Sequence, residues 1–280
     1  MFQIYTALIT PFDKCGGVDY KALSKVIDRL IEQGNQHFVL CGTTSEAPTL
    51  RFDEKKQIIR FVRYHYPQTT LYVGVSTNAT NDAIMQIQAF DQIEGIEGYM
   101  VVTPYYNKPS QKGMIEHFTM ISKQTKRNIM LYNVPSRCNV NLENESIIEL
   151  ALNCPNIIAL KQAGSLEGVE GIKERCPNFK IYVGNDDQLL MAIQKKIDGI
   201  ISVVSHFQYL RMKNIIETKD VQENEIIQKI SETIFSEPSP TPIKYILSKI
   251  DHIENKMRLP LVPVSKKLEK KLDDLILKYR

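Results

Sequence analysis

Residues 156–164 read NIIALKQAG, a short apolar run from Ile157 to Leu160 that ends on a single lysine, Lys161. A run of that length opening on β-branched residues reads as a strand buried on both faces. A lysine buried at the mouth of such a strand has its ammonium form disfavoured, and a neutral amine is what attack on a carbonyl requires. Lys161 is therefore a candidate Schiff-base nucleophile. On this stretch alone, a lysine that ends a strand and reaches out to solvent is the better account.

What separates the two readings is the company that Lys161 keeps. Apolar, β-rich segments recur at residues 3–9, 37–41, 71–75, 98–102, 129–132, 157–160, 180–183 and 199–203, with amphipathic stretches between them. Asp19 is placed to cap a helix bearing Leu23, Val26, Ile27, Leu30 and Ile31 at helical spacing; Asp53, Asn81 or Asp82, and Glu143 or Asn144 are placed to do the same for later helices. Strand then helix, repeated eight times, predicts an α/β fold of the parallel (β/α)8 TIM-barrel type. A doubly wound open sheet announces itself with a glycine-rich phosphate turn after its first strand; here Thr10, Pro11 and Phe12 follow instead. Beyond Val203 the chain reads as helices only, broken at residues 237–242 (EPSPTP) and 259–263, and closed by an amphipathic helix with Val264, Leu268, Leu272, Leu275 and Ile276 on one face. The expected organisation is a catalytic barrel over residues 1–218 and a C-terminal helical extension over 219–280.

In a (β/α)8 barrel the working residues stand on the loops that follow the strands. The predicted strand ends carry Gly42-Thr43-Thr44-Ser45-Glu46, Ser76-Thr77-Asn78, Thr103-Pro104-Tyr105-Tyr106-Asn107, Tyr132-Asn133-Val134-Pro135-Ser136-Arg137, Lys161-Gln162 and Gly184-Asn185-Asp186-Asp187. Hydroxyls, phenols and glycines thus gather at one end of the barrel with Lys161, and the types fit imine chemistry on a keto acid. Tyr132 can pass protons during imine and carbon–carbon bond formation. Thr44 offers a hydroxyl able to link two phenols. The turn Gly42-Thr43-Thr44 presents backbone N–H groups to a carboxylate, and Arg137 offers a bidentate fork to a second one. Read singly, the paired threonines can be turn residues, Tyr105 and Tyr106 packing aromatics, Arg137 a surface arginine, and Gly42 and Gly184 backbone punctuation.

Composition bounds the alternatives. With 43% hydrophobic and 24% charged residues the chain is an ordinary globular one, and its net charge of +3 points to neither a nucleic-acid nor a membrane-surface partner. No basic n-region with an apolar h-region opens the chain, and no apolar run approaches membrane-spanning length. The five cysteines form no C-x-x-C pair, which suits reduced thiols in a cytoplasmic protein. The five histidines show no ligand spacing, so metal catalysis is not expected.

Several of these segments together resemble the dihydrodipicolinate synthases, in the class I pyruvate-dependent aldolase superfamily. The likeness rests on Gly42-Thr43-Thr44-x-Glu46, Thr103-Pro104-Tyr105-Tyr106-Asn107-Lys108-Pro109, Tyr132-Asn133-Val134-Pro135-Ser136-Arg137 and Gly199-Ile200-Ile201-Ser202-Val203, and runs from Thr6 to EPSPTPIK at residues 237–244 and RLPLVP at 258–263. The resemblance implies a homotetramer or homodimer in which Lys161 forms an imine with pyruvate. The imine tautomerises to an enamine that attacks aspartate 4-semialdehyde, in lysine (diaminopimelate) biosynthesis. It further implies that Thr44, Tyr132 and Tyr106 form a proton relay, with Tyr106 contributed by a neighbouring subunit. Thr43 would bind the pyruvate carboxylate, Arg137 the semialdehyde carboxylate, and Gly184 and Ile201 would line the pocket through their backbones. No organic cofactor is implied.

The chain departs from the family pattern in two places: Ser45 stands where glycine is common, and Gln162 where an acid is common. An acid beside Lys161 would favour its charged form, so Gln162 is expected to alter the lysine without abolishing activity. Ala47, Pro48, Phe52 and Lys55 stand where lysine-inhibited members carry polar or histidine side chains, which predicts weak feedback by lysine. Two other readings use the same residues: an N-acetylneuraminate lyase or 2-keto-3-deoxy sugar acid aldolase, and a barrel that binds a keto acid without turning it over.

Overall fold

The computed structural model describes residues 2–280. Its eight strands are β1 (Gln3–Ala7), β2 (His37–Leu40), β3 (Thr70–Val75), β4 (Gly98–Val102), β5 (Asn128–Asn133), β6 (Ile157–Gln162), β7 (Lys180–Val183) and β8 (Gly199–Ser202). Each pairs in parallel with its sequence neighbours and β8 pairs back onto β1, closing a (β/α)8 barrel. The helices are α1 (Tyr20–Glu32), α2 (Phe52–His65), α3 (Thr80–Phe90), α4 (Gln111–Ser122), the single turn α5 (Pro135–Cys138), α6 (Asn144–Asn153), α7 (Val169–Arg175), α8 (Leu189–Gln194), α9 (Ser205–Thr218), α10 (Val221–Ile234), α11 (Thr241–Ile250) and α12 (Lys266–Tyr279). Among the described residues no helix is long and apolar enough to cross a membrane.

The two-residue period of the strands sorts their side chains into two cores. Leu131, Leu160 and Ile181 face the surrounding helices. Met130, Tyr132, Ala159, Tyr182 and Ile201 face the barrel interior. Lys161 follows Ala159 by two and so continues the inward series. The bottom of the interior is closed by Tyr5 set edge-on to Tyr72 and Tyr182, at 5.8 and 5.4 Å between ring centres.

Strands β4 and β7 have the bounds expected from the sequence, and the other ends shift by one or two residues. The shift that matters is at β6, where Lys161 and Gln162 lie inside the strand, paired with Tyr132 and Asn133 of β5. The helix starts divide. Asp19 caps α1 by accepting from the Ala22 N–H at 2.9 Å. Asp53 does not cap α2: the N-cap is Arg51, whose own N–H donates to Glu54 at 2.9 Å, so Asp53 sits within the first turn. Helix α3 begins after Ala79, ahead of Asn81 and Asp82, and Glu143 occupies the N-cap of α6 without a side-chain bond. The closing helix α12 is capped by Ser265 and buries Leu268, Leu272 and Leu275.

Candidate active site

Lys161 is 6% exposed, and its Nζ lies 4.4 Å from the centre of the Tyr132 ring. The two residues are direct neighbours across β5 and β6, so the pair is positioned by the sheet rather than by a loop. On the other side, Gly184 follows β7 by one residue. A Cβ there would stand 2.9 Å from Lys161 Cε and 2.7 Å from Ala163 Cβ, so the lysine stem occupies space that only glycine leaves. Ile201, on β8, is buried in the same interior cluster as Tyr132 and Ala163.

The threonine turn after β2 is built from consecutive backbone bonds: Ser45 N–H to Gly42 O at 3.1 Å, Glu46 N–H to Thr43 O at 3.0 Å and Ala47 N–H to Gly42 O at 3.2 Å. Its first and last members, Cys41 and Glu46, hold left-handed φ angles of 54° and 55°. The turn sits so close to β3 that a Cβ on Gly74 would be 2.5 Å from Cys41 O. Thr44 is buried and Thr43 half-buried. Ser45 is also buried and donates to Leu8 O at 2.6 Å, tying the turn to the end of β1. The hydroxyl that departs from the family pattern is therefore a structural donor.

Gln162 has a similar explanation. It points away from the interior, accepts from Asn133 Nδ2 at 3.0 Å and donates to Ser165 O at 2.7 Å. Its side chain is held by these partners on the face opposite Lys161.

A cavity of about 190 Å³ opens among these loops, lined by Thr43, Pro48, Ser76, Val102, Tyr105, Val134, Arg137 and Cys138. It brings Thr43 and Arg137 together; Lys161, Tyr132, Thr44, Gly184 and Ile201 do not line it. Val102, Val134 and Cys138 belong to the interior cluster that contains Tyr132, so the cavity wall and Tyr132 share one packed interior. Burial raises the Cys138 thiol, opposed by the Thr103 hydroxyl and the Arg137 charge. Tyr106 stands apart. It is 87% exposed and adopts a left-handed φ of 74°, followed by a second such residue at Lys108 (φ 48°).

Asp186, which the sequence places on the loop after β7 without a role of its own, supports the site. Fully buried, it accepts from the Ser202 hydroxyl and from the N–H groups of Val203 (3.0 Å) and Val204 (3.1 Å). It thereby links the loop bearing Gly184 to the end of β8 bearing Ile201. Desolvation raises its carboxyl, against the pull of those donors and of the Lys161 charge. The signal present in the sequence was an acid two residues after Gly184 facing the serine that ends β8.

Known proteins resemble this chain over nearly its whole length. The dihydrodipicolinate synthetase family matches residues 1–279. The 4-hydroxy-tetrahydrodipicolinate synthase of Leuconostoc mesenteroides is 38% identical, with 98% of each chain covered. That of Bacillus subtilis is 37% identical over 94% of each. Among solved structures, a dihydrodipicolinate synthase of Bacillus anthracis superposes with a TM-score of 0.94 at 32% identity, covering 100% of both chains. A monomeric dihydrodipicolinate synthase variant superposes at 0.93 with 30% identity, covering 99% of this chain and 97% of the other. This chain, a closed parallel barrel in which the buried Lys161 faces Tyr132, belongs to the dihydrodipicolinate synthetase family.

Proposed function

We propose that the protein is a lyase that condenses pyruvate with L-aspartate 4-semialdehyde to give 4-hydroxy-tetrahydrodipicolinate through a Schiff base on Lys161. The observation that carries the reading is the buried Lys161 amine against Tyr132, with the lysine stem in the space that Gly184 leaves. The amine adds to the pyruvate ketone carbon, and loss of water leaves an imine. Loss of a proton from the adjacent methyl gives an enamine whose carbon attacks the aldehyde of the second substrate. The amino group of that substrate then closes on the imine carbon and releases Lys161.

In this reading Tyr132, Thr44 and Tyr106 pass the protons. Thr43 receives the pyruvate carboxylate, Arg137 the carboxylate of the semialdehyde, and Gly184 and Ile201 border the pocket. The shared cavity between Thr43 and Arg137 supports two carboxylate-binding groups on one substrate path. The exposure of Tyr106 on a strained turn supports its working in a neighbouring protomer, and hence a homodimer or homotetramer. The 219–280 segment is taken as a helical extension of the barrel.

Incubation with pyruvate and borohydride, followed by mass spectrometry, should locate a reduced pyruvate adduct on Lys161. Its absence would remove the enzyme reading. Turnover of aspartate semialdehyde, and not of sialic or 2-keto-3-deoxy sugar acids, decides the substrate.

A further inference from the structure

The side chains of Glu46 and Lys244 are both 0% exposed and form an ion pair 198 residues apart in the chain. Glu46 ends the threonine turn, and Lys244 stands on α11. The second Glu46 oxygen accepts from the Arg258 N–H at 3.0 Å, and Lys244 Nζ also donates to Lys256 O at 2.9 Å. Both cations lie over the Phe12 ring, Lys244 at 4.1 Å and Arg258 at 4.4 Å from its centre. Arg258 goes on to bind Glu54, Thr49 O and Gly16 O. One cluster thus fastens the loops after β1 and β2 to the C-terminal helices.

Stability alone is a poor account of such a pair. Removing two charges from water costs about as much as their attraction returns, and apolar replacements of similar volume are often neutral or better. What an ion pair supplies that an apolar contact does not is direction. Here the direction is imposed on a residue whose left-handed φ of 55° is unfavourable for any side chain but glycine, two residues after Thr44. The Glu46 N–H also closes the turn onto Thr43 O. The pair therefore fixes the peptide that shapes the turn.

We infer that Glu46 and Lys244 are positioning residues through which the C-terminal helices set the Thr43–Thr44 turn for the keto-acid carboxylate. The inference rests on the function proposed above for that turn. Neither residue touches the substrate; each acts through the turn.

The test uses the full-length protein with Lys244→Met and with the double variant Glu46→Gln/Lys244→Met. The single variant strands a buried carboxylate and should lose both thermal stability and pyruvate affinity. The double variant removes both charges and should melt near the wild-type temperature. Trapping on Lys161 by borohydride is followed against pyruvate concentration. In the double variant the half-saturating concentration should rise by about tenfold to a hundredfold, with full labelling still reached at saturation. A half-saturation indistinguishable from wild type would overturn the inference, and so would a double variant that does not fold, because the pair would then be a stability element only. Wild-type protein that forms no adduct would instead overturn the parent reading of Lys161, and this inference with it.

Discussion

Gly184→Ala adds one methyl group beside the Lys161 stem, and its consequences follow from two distances. The new Cβ would lie 2.7 Å from Ala163 Cβ and 2.9 Å from Lys161 Cε. Carbon atoms rest at about 3.5–4.0 Å, so each contact is short by roughly 0.6–1.3 Å. Ala163 Cβ is fixed to the backbone and yields little, whereas the lysine stem can rotate, so Lys161 is displaced more. Overpacking of this kind costs about 1–3 kcal/mol of stability. A 1 Å misplacement of a reacting group costs about a hundredfold in rate, or ~2.7 kcal/mol of barrier. The expected result is a modest fall in melting temperature with a loss of about two orders of magnitude in the rate of Lys161 trapping by pyruvate and borohydride. Adding Ala163→Gly relieves one of the two contacts and should recover stability while leaving trapping slow. Wild-type trapping by Gly184→Ala would show that Lys161 does not need the space beside Gly184, and would refute the geometry on which the site is built.

Three further outcomes follow from other parts of the molecule. Tyr106→Phe should lower turnover by about a hundredfold without moving the melting temperature, since the ring is largely exposed in its own chain; unchanged kcat would remove Tyr106 from the relay. The fork from Arg258, with the Arg51 N–H beside it, holds the Glu54 carboxyl down at about 2 from an ordinary 4.5. A carboxyl lowered by folding stabilises above its unfolded value and loses that contribution as pH falls through the folded one. About 3 kcal/mol should therefore drain between about pH 4.5 and about pH 2, and Glu54→Gln should flatten that limb of the acid-unfolding curve; an unaltered limb would contradict the assignment. Lysine should neither bind tightly in calorimetry nor slow condensation, because Phe52 is stacked on Phe90 at 5.6 Å and Lys55 is a buried amine whose pKa desolvation lowers. Tight association accompanied by loss of activity would overturn that expectation.

The strands were legible because each is an apolar run between turn residues, and the barrel because eight of them alternate with helical spacing. Their ends were less legible for a physical reason: hydropathy stops where polarity begins, whereas backbone pairing continues through Asn128, Asn133, Lys161 and Gln162. The start of α2 was misplaced because an acidic residue is the usual cap signal, yet here the capping bond runs from Glu54 back to the Arg51 N–H. Of the candidate site, what could be read was which residues stand at strand ends. What could not be read was depth: Thr43 and Arg137 border the open cavity while Lys161 and Tyr132 lie in the packed interior. Nor could one sequence pair Glu46 with Lys244, since nothing local links positions 198 residues apart.

The residue beside the lysine shows how far adjacency in sequence can mislead. Lys161 and Gln162 are neighbours along the chain, but the strand's period of two sends their side chains to opposite faces. On its own face Gln162 accepts from Asn133, whose amide also donates to Leu142 O at 3.2 Å and whose oxygen receives the Leu142 N–H at 3.1 Å. These bonds tie the end of β5 to the end of β6, the two places where Tyr132 and Lys161 are mounted. A carboxylate at position 162 would keep the bond from Asn133, but it has no proton to give to Ser165 O, which Gln162 reaches at 2.7 Å. The amide satisfies both neighbours, one as acceptor and one as donor. Its place in the fold is thus to hold the ends of β5 and β6 in register beside Tyr132 and Lys161.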